Sequence, residues 1–362
     1  MAFAQLFSPR TRKPPLSTTS SNSVQKRAEI SIEALRLIEL SDHSSVVMKS
    51  SDSLLRADNL LAIMKTFGRL HGLPITLAID IATYDSLAES VIEHAHSYGS
   101  DLIVLPWLLP SVNISDQQIE SSETSLPFSH NGPRKATDTV PKPSARIHSH
   151  FIQSIFEHAS TDVAVYLDRN IDDSVQAKYH HHLFLPFFGG PDDRFALDFV
   201  AQLCENDAIS ATVLRLDRKD RNETTSIIPS FEDCSTKLEN TESGTADDIA
   251  WKHFTSSTPS MSSNASRSRM EFKECVTSLP LHAIVHEAHV IKQSGVRLLI
   301  VVGRSSHPRR AMDSTELSDL VAEYGVLDAE TTKTIGVIAT AFVSADSGDG
   351  VLVLQKASCH LD

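Results

Sequence analysis

The chain has 362 residues, 41% apolar and 22% charged, which supplies a packed core and excludes wholesale disorder. Lys and Arg total 33 against 46 Asp and Glu, a formal charge of -13 that makes the chain a poor general nucleic-acid binder, because such binding needs clustered cations. The longest apolar runs, Leu102–Pro110 and Leu298–Val302, fall far short of the roughly 20 residues that cross a bilayer, so these residues alone form no ion path through a membrane.

The first 27 residues depart from this balance, with Arg10, Arg12, Lys13, Lys26 and Arg27 and no Asp or Glu. Ser, Thr and Pro crowd the same stretch, so it reads as a basic flexible segment; contact with an anionic surface and phosphorylation are the other readings. No apolar core of a secretory signal is expected there. Cys204, Cys234, Cys275 and Cys359 stand far apart without a Cys-x-x-Cys pair, which fits a reducing, cytosolic setting better than a zinc ribbon or a disulfide framework.

In chain order, Leu35–Leu40 reads as a strand. Ser53–His71 is helix-periodic, with Asp52 or Ser53 as N-cap and Gly72 as stop. Ile75–Ile81 is β-branched and short, hence a strand, and Thr83–Tyr98 returns to helical spacing before Gly99. Asp101–Trp107 has no polar residue in its middle, the pattern of a strand buried on both faces. Residues 111–145 lose all periodicity and fill with Ser, Thr, Pro, Asn and Gln, so a disordered loop is expected. Ile147–His158 then reads as helix and Asp162–Asp168 as strand.

The pattern repeats. His182–Phe188 (strand) leads through Gly189-Gly190 to a helix over Pro191–Cys204 and a strand over Ser210–Leu216. Residues 217–270 are expected to be a second disordered insertion. Helix Leu281–Gln293, strand Val296–Val302, helices near Ser314–Tyr324 and Ala329–Val343, and strand Gly350–Gln355 complete the chain. Alternating strands and helices predict an α/β fold with parallel sheets, in two tandem α/β/α domains spanning 28–170 and 180–362 and related by internal duplication.

Gly189-Gly190-Pro191-Asp192-Asp193-Arg194 follows a strand and opens a helix, a position where free N–H groups often hold phosphate. Asp192 and Asp193 place negative charge there, so helix capping is the competing explanation. Gly303 and Arg304 follow a second strand; the glycine allows close backbone approach and the arginine offers a cation for phosphate. These four residues, Gly189, Gly190, Gly303 and Arg304, are the candidate nucleotide or phosphate loops. Neither G-x-G-x-x-G nor the P-loop is present. His180-His181-His182 would point to alternating faces of a strand. His282, His286 and His289 share a helix face near Glu287 but lack further ligands, so no metal site is expected. A His-rich surface titrating between about pH 5 and 8 could instead sense protons. No G-x-S-x-G elbow and no paired carboxylates argue for an enzyme.

The strings Ala34–Lys49 (ALRLIELSDHSSVVMK), Asp101–Pro106 (DLIVLP), Asp162–Arg169 (DVAVYLDR), Phe187–Leu197 (FFGGPDDRFAL), Leu298–Arg304 (LLIVVGR) and Val351–Gln355 (VLVLQ) occur in this order. With them the chain resembles the cytosolic C-terminal region of the cation/proton antiporter-2 family, fungal potassium/proton antiporters foremost and plant cation/proton exchangers more distantly. The resemblance implies two tandem universal-stress-protein-like (Rossmann-like) domains that regulate transport, a membrane antiporter domain as partner, and a homodimer formed through that parent. It also implies a place on the cytosolic face of a membrane, the chain by itself being soluble. An adenine nucleotide is the cofactor it suggests, although Gly303 lacks the following glycines of the family's ATP loop and Pro106 stands where the first domain would need glycine. Met1–Phe7 looks like the end of the first domain's first helix, so that domain is expected to lack its first strand and the chain to be a fragment, a truncated gene model or a degenerate duplicate. The expectation is a non-catalytic regulatory region of a monovalent cation (potassium):proton antiporter; the alternative is a stand-alone nucleotide-binding stress protein acting in trans.

Overall fold

The computed structural model describes residues 30–40, 58–107, 143–169, 180–218, 234–256, 268–305, 314–324 and 329–357. Strands and helices alternate along them: β1 (Ile32–Glu39), α1 (Asn59–His71), β2 (Ile75–Ala82), a 3-10 turn (Tyr84–Ser86), α2 (Leu87–Tyr98), β3 (Leu102–Trp107), α3 (Pro143–His158) and β4 (Asp162–Asp168). The second half continues with β5 (His181–Phe187), α4 (Pro191–Leu203), β6 (Ile209–Arg218), α5 (Cys234–Thr255), β7 (Met270–Thr277), α6 (Pro280–Gln293), β8 (Arg297–Gly303), α7 (Ser314–Tyr324), α8 (Ala329–Ser344) and β9 (Gly350–Gln355). β1 and β2 form a two-stranded sheet, and a seven-stranded sheet has the order β3-β4-β9-β8-β5-β6-β7. Every pairing is parallel except β4 with β9. The chain is therefore an α/β fold with mostly parallel sheets, as the alternation of elements predicts.

The two halves are not laid out as two separate sheets. β4 and β9 pair antiparallel from Val163↔Gln355 to Asp168↔Gly350, so one hydrogen-bonded sheet runs through both. Side chains alternate across it. Val163, Val165, Phe184, Leu214, Ile300, Val302, Val351 and Val353 face one layer of helices, with Ile155 of α3, Ile284 of α6 and Phe342 of α8 among their partners. Ala164, Leu183, Leu185, Ala211, Val213, Val301 and Leu352 face the other, where Leu197 and Val200 of α4 and Trp251 of α5 cover them. Burial of such side chains is worth about 1.5–3 kcal/mol each before the entropy of ordering them.

Three sequence expectations change. β3 is not enclosed on both faces: Ile103, Leu105 and Trp107 are buried, whereas Val104 is 44% exposed and Pro106 is exposed. Within 217–270, expected to be disordered, the structure places α5 and the start of β7, an edge strand. α1 is capped by Asp58, whose Oδ1 accepts the Leu61 N–H at 3.0 Å; the expected caps Asp52 and Ser53 lie outside the described residues. So do the basic first 27 residues, including Met1–Phe7, and most of the 111–145 loop, while α3 begins at Pro143.

Candidate functional site: the carboxylate-filled turn at the strand ends

β5 and β8 are parallel neighbours, so their C-terminal ends lie side by side. That brings Gly189-Gly190 and Gly303-Arg304, far apart in sequence, to one rim of the sheet. Gly189 (φ 92°) and Gly190 (φ 105°) adopt conformations that side chains resist, which turns the chain sharply from β5 into α4. Gly303 is required for a different reason: a Cβ there would overlap Asp193 Oδ1 and lie 2.9 Å from the Asp193 nitrogen.

Three N–H groups of this turn are already engaged. Asp193 Oδ2 accepts the N–H groups of Phe188 (2.7 Å) and Gly189 (2.9 Å), and Asp247 of α5 accepts that of Gly190 (3.0 Å). Asp192 accepts the N–H groups of Ser305 and Lys356, each at 2.9 Å, tying the ends of β8 and β9 to α4. Neither aspartate caps α4 in the expected way, because their partners lie outside the first turn of that helix. Arg194 pairs with Asp247. Arg304 is held by the carbonyls of Thr334 (2.9 Å) and Lys333 (3.3 Å) and by Gln355 Oε1 (2.7 Å), with its guanidinium 4.5 Å from the Phe156 ring centre. In this turn the N–H groups of Phe188, Gly189 and Gly190 meet the protein's own carboxyl groups.

Burial dominates the electrostatics. Asp193 is fully buried, and desolvation pushes its carboxyl up to about 8, against the two N–H bonds that favour its charge; Asp192 and Asp247 add repulsion. It therefore holds its proton at neutral pH. With Oδ2 accepting twice, Oδ1, which has no partner among the described residues, is the oxygen left for that proton. Burial also raises Asp192, while the Lys356 and Ser305 amides pull it back. Nothing in the first three residues of this glycine motif signalled Asp247, which lies in a segment without periodicity.

The histidines do not converge. His182 bonds Ser210 (2.7 Å) and Thr212 (2.9 Å), and burial lowers its pKa. His282 Nδ1 meets Glu316 Oε1 at 3.1 Å; the same oxygen accepts the N–H groups of Leu281 and His282, so α7 caps the start of α6. His289 bonds the Ala345 carbonyl at 3.2 Å, His286 is exposed, and Glu287 pairs with Lys273 at 2.9 Å.

No family model matches the chain. Among curated proteins it is similar to Cation/H(+) antiporter 17 of Arabidopsis thaliana, 23% identical over 215 residues, and to Cation/H(+) antiporter 19 of the same plant, 22% identical over 210 residues. Each match takes in 54% of this chain and 23% of the relative, so the chain spans about a quarter of those proteins' length. Among solved structures it is similar to a universal stress protein from Archaeoglobus fulgidus, with TM-score 0.40, 9% identity, and 90% and 87% of the two chains covered. It is also similar to a universal stress protein in complex with cAMP, with TM-score 0.25, 13% identity, and 50% and 100% covered. No helix among the described residues is long and apolar enough to cross a membrane.

Proposed function

We propose that this chain is the cytosolic regulatory region of a monovalent cation (potassium):proton antiporter and carries out no chemistry itself. The observation that carries the reading is the similarity to two plant cation/H(+) antiporters over about half of this chain, combined with the want of any described helix able to cross a membrane. The transmembrane antiporter domain is then its partner, with a homodimer formed through that domain, and nucleic acid plays no part. The filled turn at the strand ends fits a protein that transmits a state rather than one that turns over a substrate.

The test grafts this chain onto the membrane part of Cation/H(+) antiporter 17 in place of its matched segment and follows potassium–proton exchange in vesicles. A graft that changes the pH dependence or rate of exchange relative to the bare membrane part supports the reading. Unchanged exchange overturns it.

The alternative is a stand-alone nucleotide-binding protein of the universal-stress type. Calorimetric titration of the chain with AMP and ATP separates the two. Because the Gly189, Gly190 and Ser305 amides are already bonded, little heat is expected from an adenine nucleotide at this rim.

A further inference from the structure

α1 differs in charge from the other described helices. Asn59–His71 holds Lys65, Arg69 and His71 and no Asp or Glu, in a chain of net charge -13, whereas α2 to α8 each carry a carboxylate. The sheet beneath it is sorted in the same sense. Arg36 of β1 reaches Asp58, the N-cap of α1, at 3.4 Å, so Arg36 points to the α1 side. Glu33 instead meets His94 of α2 at 3.0 Å, and Glu39 shares its side by strand alternation. Asp80 of β2 accepts the Ser90 hydroxyl of α2. The carboxylates of the two-stranded sheet thus lie toward α2. Cations gather toward α1, where Asp58 is already matched by Arg36.

The outward face of this helix is apolar. Leu61 and Gly68 are its buried residues, and a Cβ on Gly68 would lie 2.7 Å from Ile75 of β2, so that side sits close on the sheet. Leu60, Ile63 and Leu70 are 55%, 51% and 78% exposed, with half-buried Phe67 among them. Their spacing of three and four residues sets them in one stripe, and Lys65 and Arg69 run along its flank. Single exposed leucines are ordinary; a stripe of them bordered by cations alone is not.

We propose that α1 is a membrane-surface helix: its Leu60, Ile63, Phe67 and Leu70 stripe enters the interface of an anionic lipid bilayer, and Lys65 and Arg69 reach the lipid phosphates. A basic amphipathic helix lying in the plane of such a surface buries its apolar face there, and long cationic side chains extend to the head groups. The size of the face favours lipid over a protein partner. A helix of this length is about 20 Å long and its outer face about 10 Å wide, roughly a quarter of the ~800 Å² that each partner buries in a stable protein pair. A second copy fits poorly, because two such faces together would crowd Lys65 and Arg69 of both copies with no carboxylate of α1 to answer them.

The test sediments the full chain with phosphatidylcholine vesicles made with or without phosphatidylserine, and follows the emission of a Leu70→Trp variant. Binding is expected with phosphatidylserine, weakening as salt is added, and with a blue shift of the Leu70→Trp emission. Ile63→Asn with Leu70→Asn should cut the partition coefficient about tenfold or more and leave the thermal midpoint unchanged, since both positions are exposed. Lys65→Gln with Arg69→Gln should lower it about tenfold. Binding that neither pair of substitutions weakens, or that brings no emission shift, overturns the proposal and assigns the contact to the basic first 27 residues. No binding to phosphatidylserine vesicles also overturns it and leaves the face to a protein partner. So does self-association that Ile63→Asn with Leu70→Asn abolishes, which would assign the face to a second copy. None of these outcomes depends on whether the chain serves a transporter.

Discussion

Asp193 is the residue on which pH should act. Its folded-state carboxyl titrates near 8 while an unfolded aspartate titrates near its ordinary 3.8. Between those values the native state holds a proton that the unfolded state has released, so its contribution is complete below about pH 4 and is lost as pH rises through 8. Urea unfolding should therefore show stability falling from pH 5 to pH 8, by a few kcal/mol. In Asp193→Asn the fall should shrink, leaving the smaller part due to Asp192, because an amide oxygen still accepts from Phe188 and Gly189. Asp193→Ala leaves those two buried N–H groups unpaired and should cost about 2–4 kcal/mol at any pH in that range. Gly303→Ala sets a methyl against Asp193 backbone and side chain; thermal unfolding should report a loss of about 2–3 kcal/mol. The position of these glycines and aspartates in a sharp turn between a strand and a helix was legible in the sequence, with helix capping as the competing explanation for the aspartates. What the sequence could not show is which amides these carboxyl groups accept from, since Ser305, Lys356 and Asp247 come to the turn from remote segments.

At the level of elements, periodicity served well wherever a helix has one buried face, as in α2 with Ala88, Val91 and Ala95. It failed for α5, where polar residues run around the helix and Trp251 supplies much of the anchoring. That ring lies 5.8 Å from Phe187 and 5.4 Å from Phe272, with its N–H 2.8 Å from Glu274 Oε1. Trp251→Ala should thus cost about 3–5 kcal/mol and free α5 and the edge strand β7 first, visible as faster exchange in 234–256 and 270–277 with β4 and β9 still protected. β3 misled in the opposite way. Its uninterrupted apolar run is that of a doubly covered strand, yet Val104 and Pro106 are exposed while Ile103, Leu105 and Trp107 are buried.

For the molecule as a whole, the antiparallel β4–β9 seam decides cooperativity. Gln153 bonds Thr334 (2.7 Å), Gln355 bonds the Phe156 carbonyl (2.7 Å), and Arg169 bonds the Val343 carbonyl (2.9 Å), so the halves interlock through side chains as well as strands. Calorimetry should give a single unfolding transition for the seven-stranded body, and Val353→Ala in the seam should lower that whole transition rather than split it. Two resolved transitions, one per half, would contradict a shared core.

The reversed direction at that seam has a geometric result. Within the seven-stranded sheet, β3 and β4 finish at one rim and the strands of the second half at the opposite rim. A flat object such as a bilayer leaflet, laid against the rim that bears Gly189 and Gly303, meets strand tips from one half and strand starts from the other. The two halves thus greet any planar neighbour with different faces, and equal sequences would not make them equal listeners.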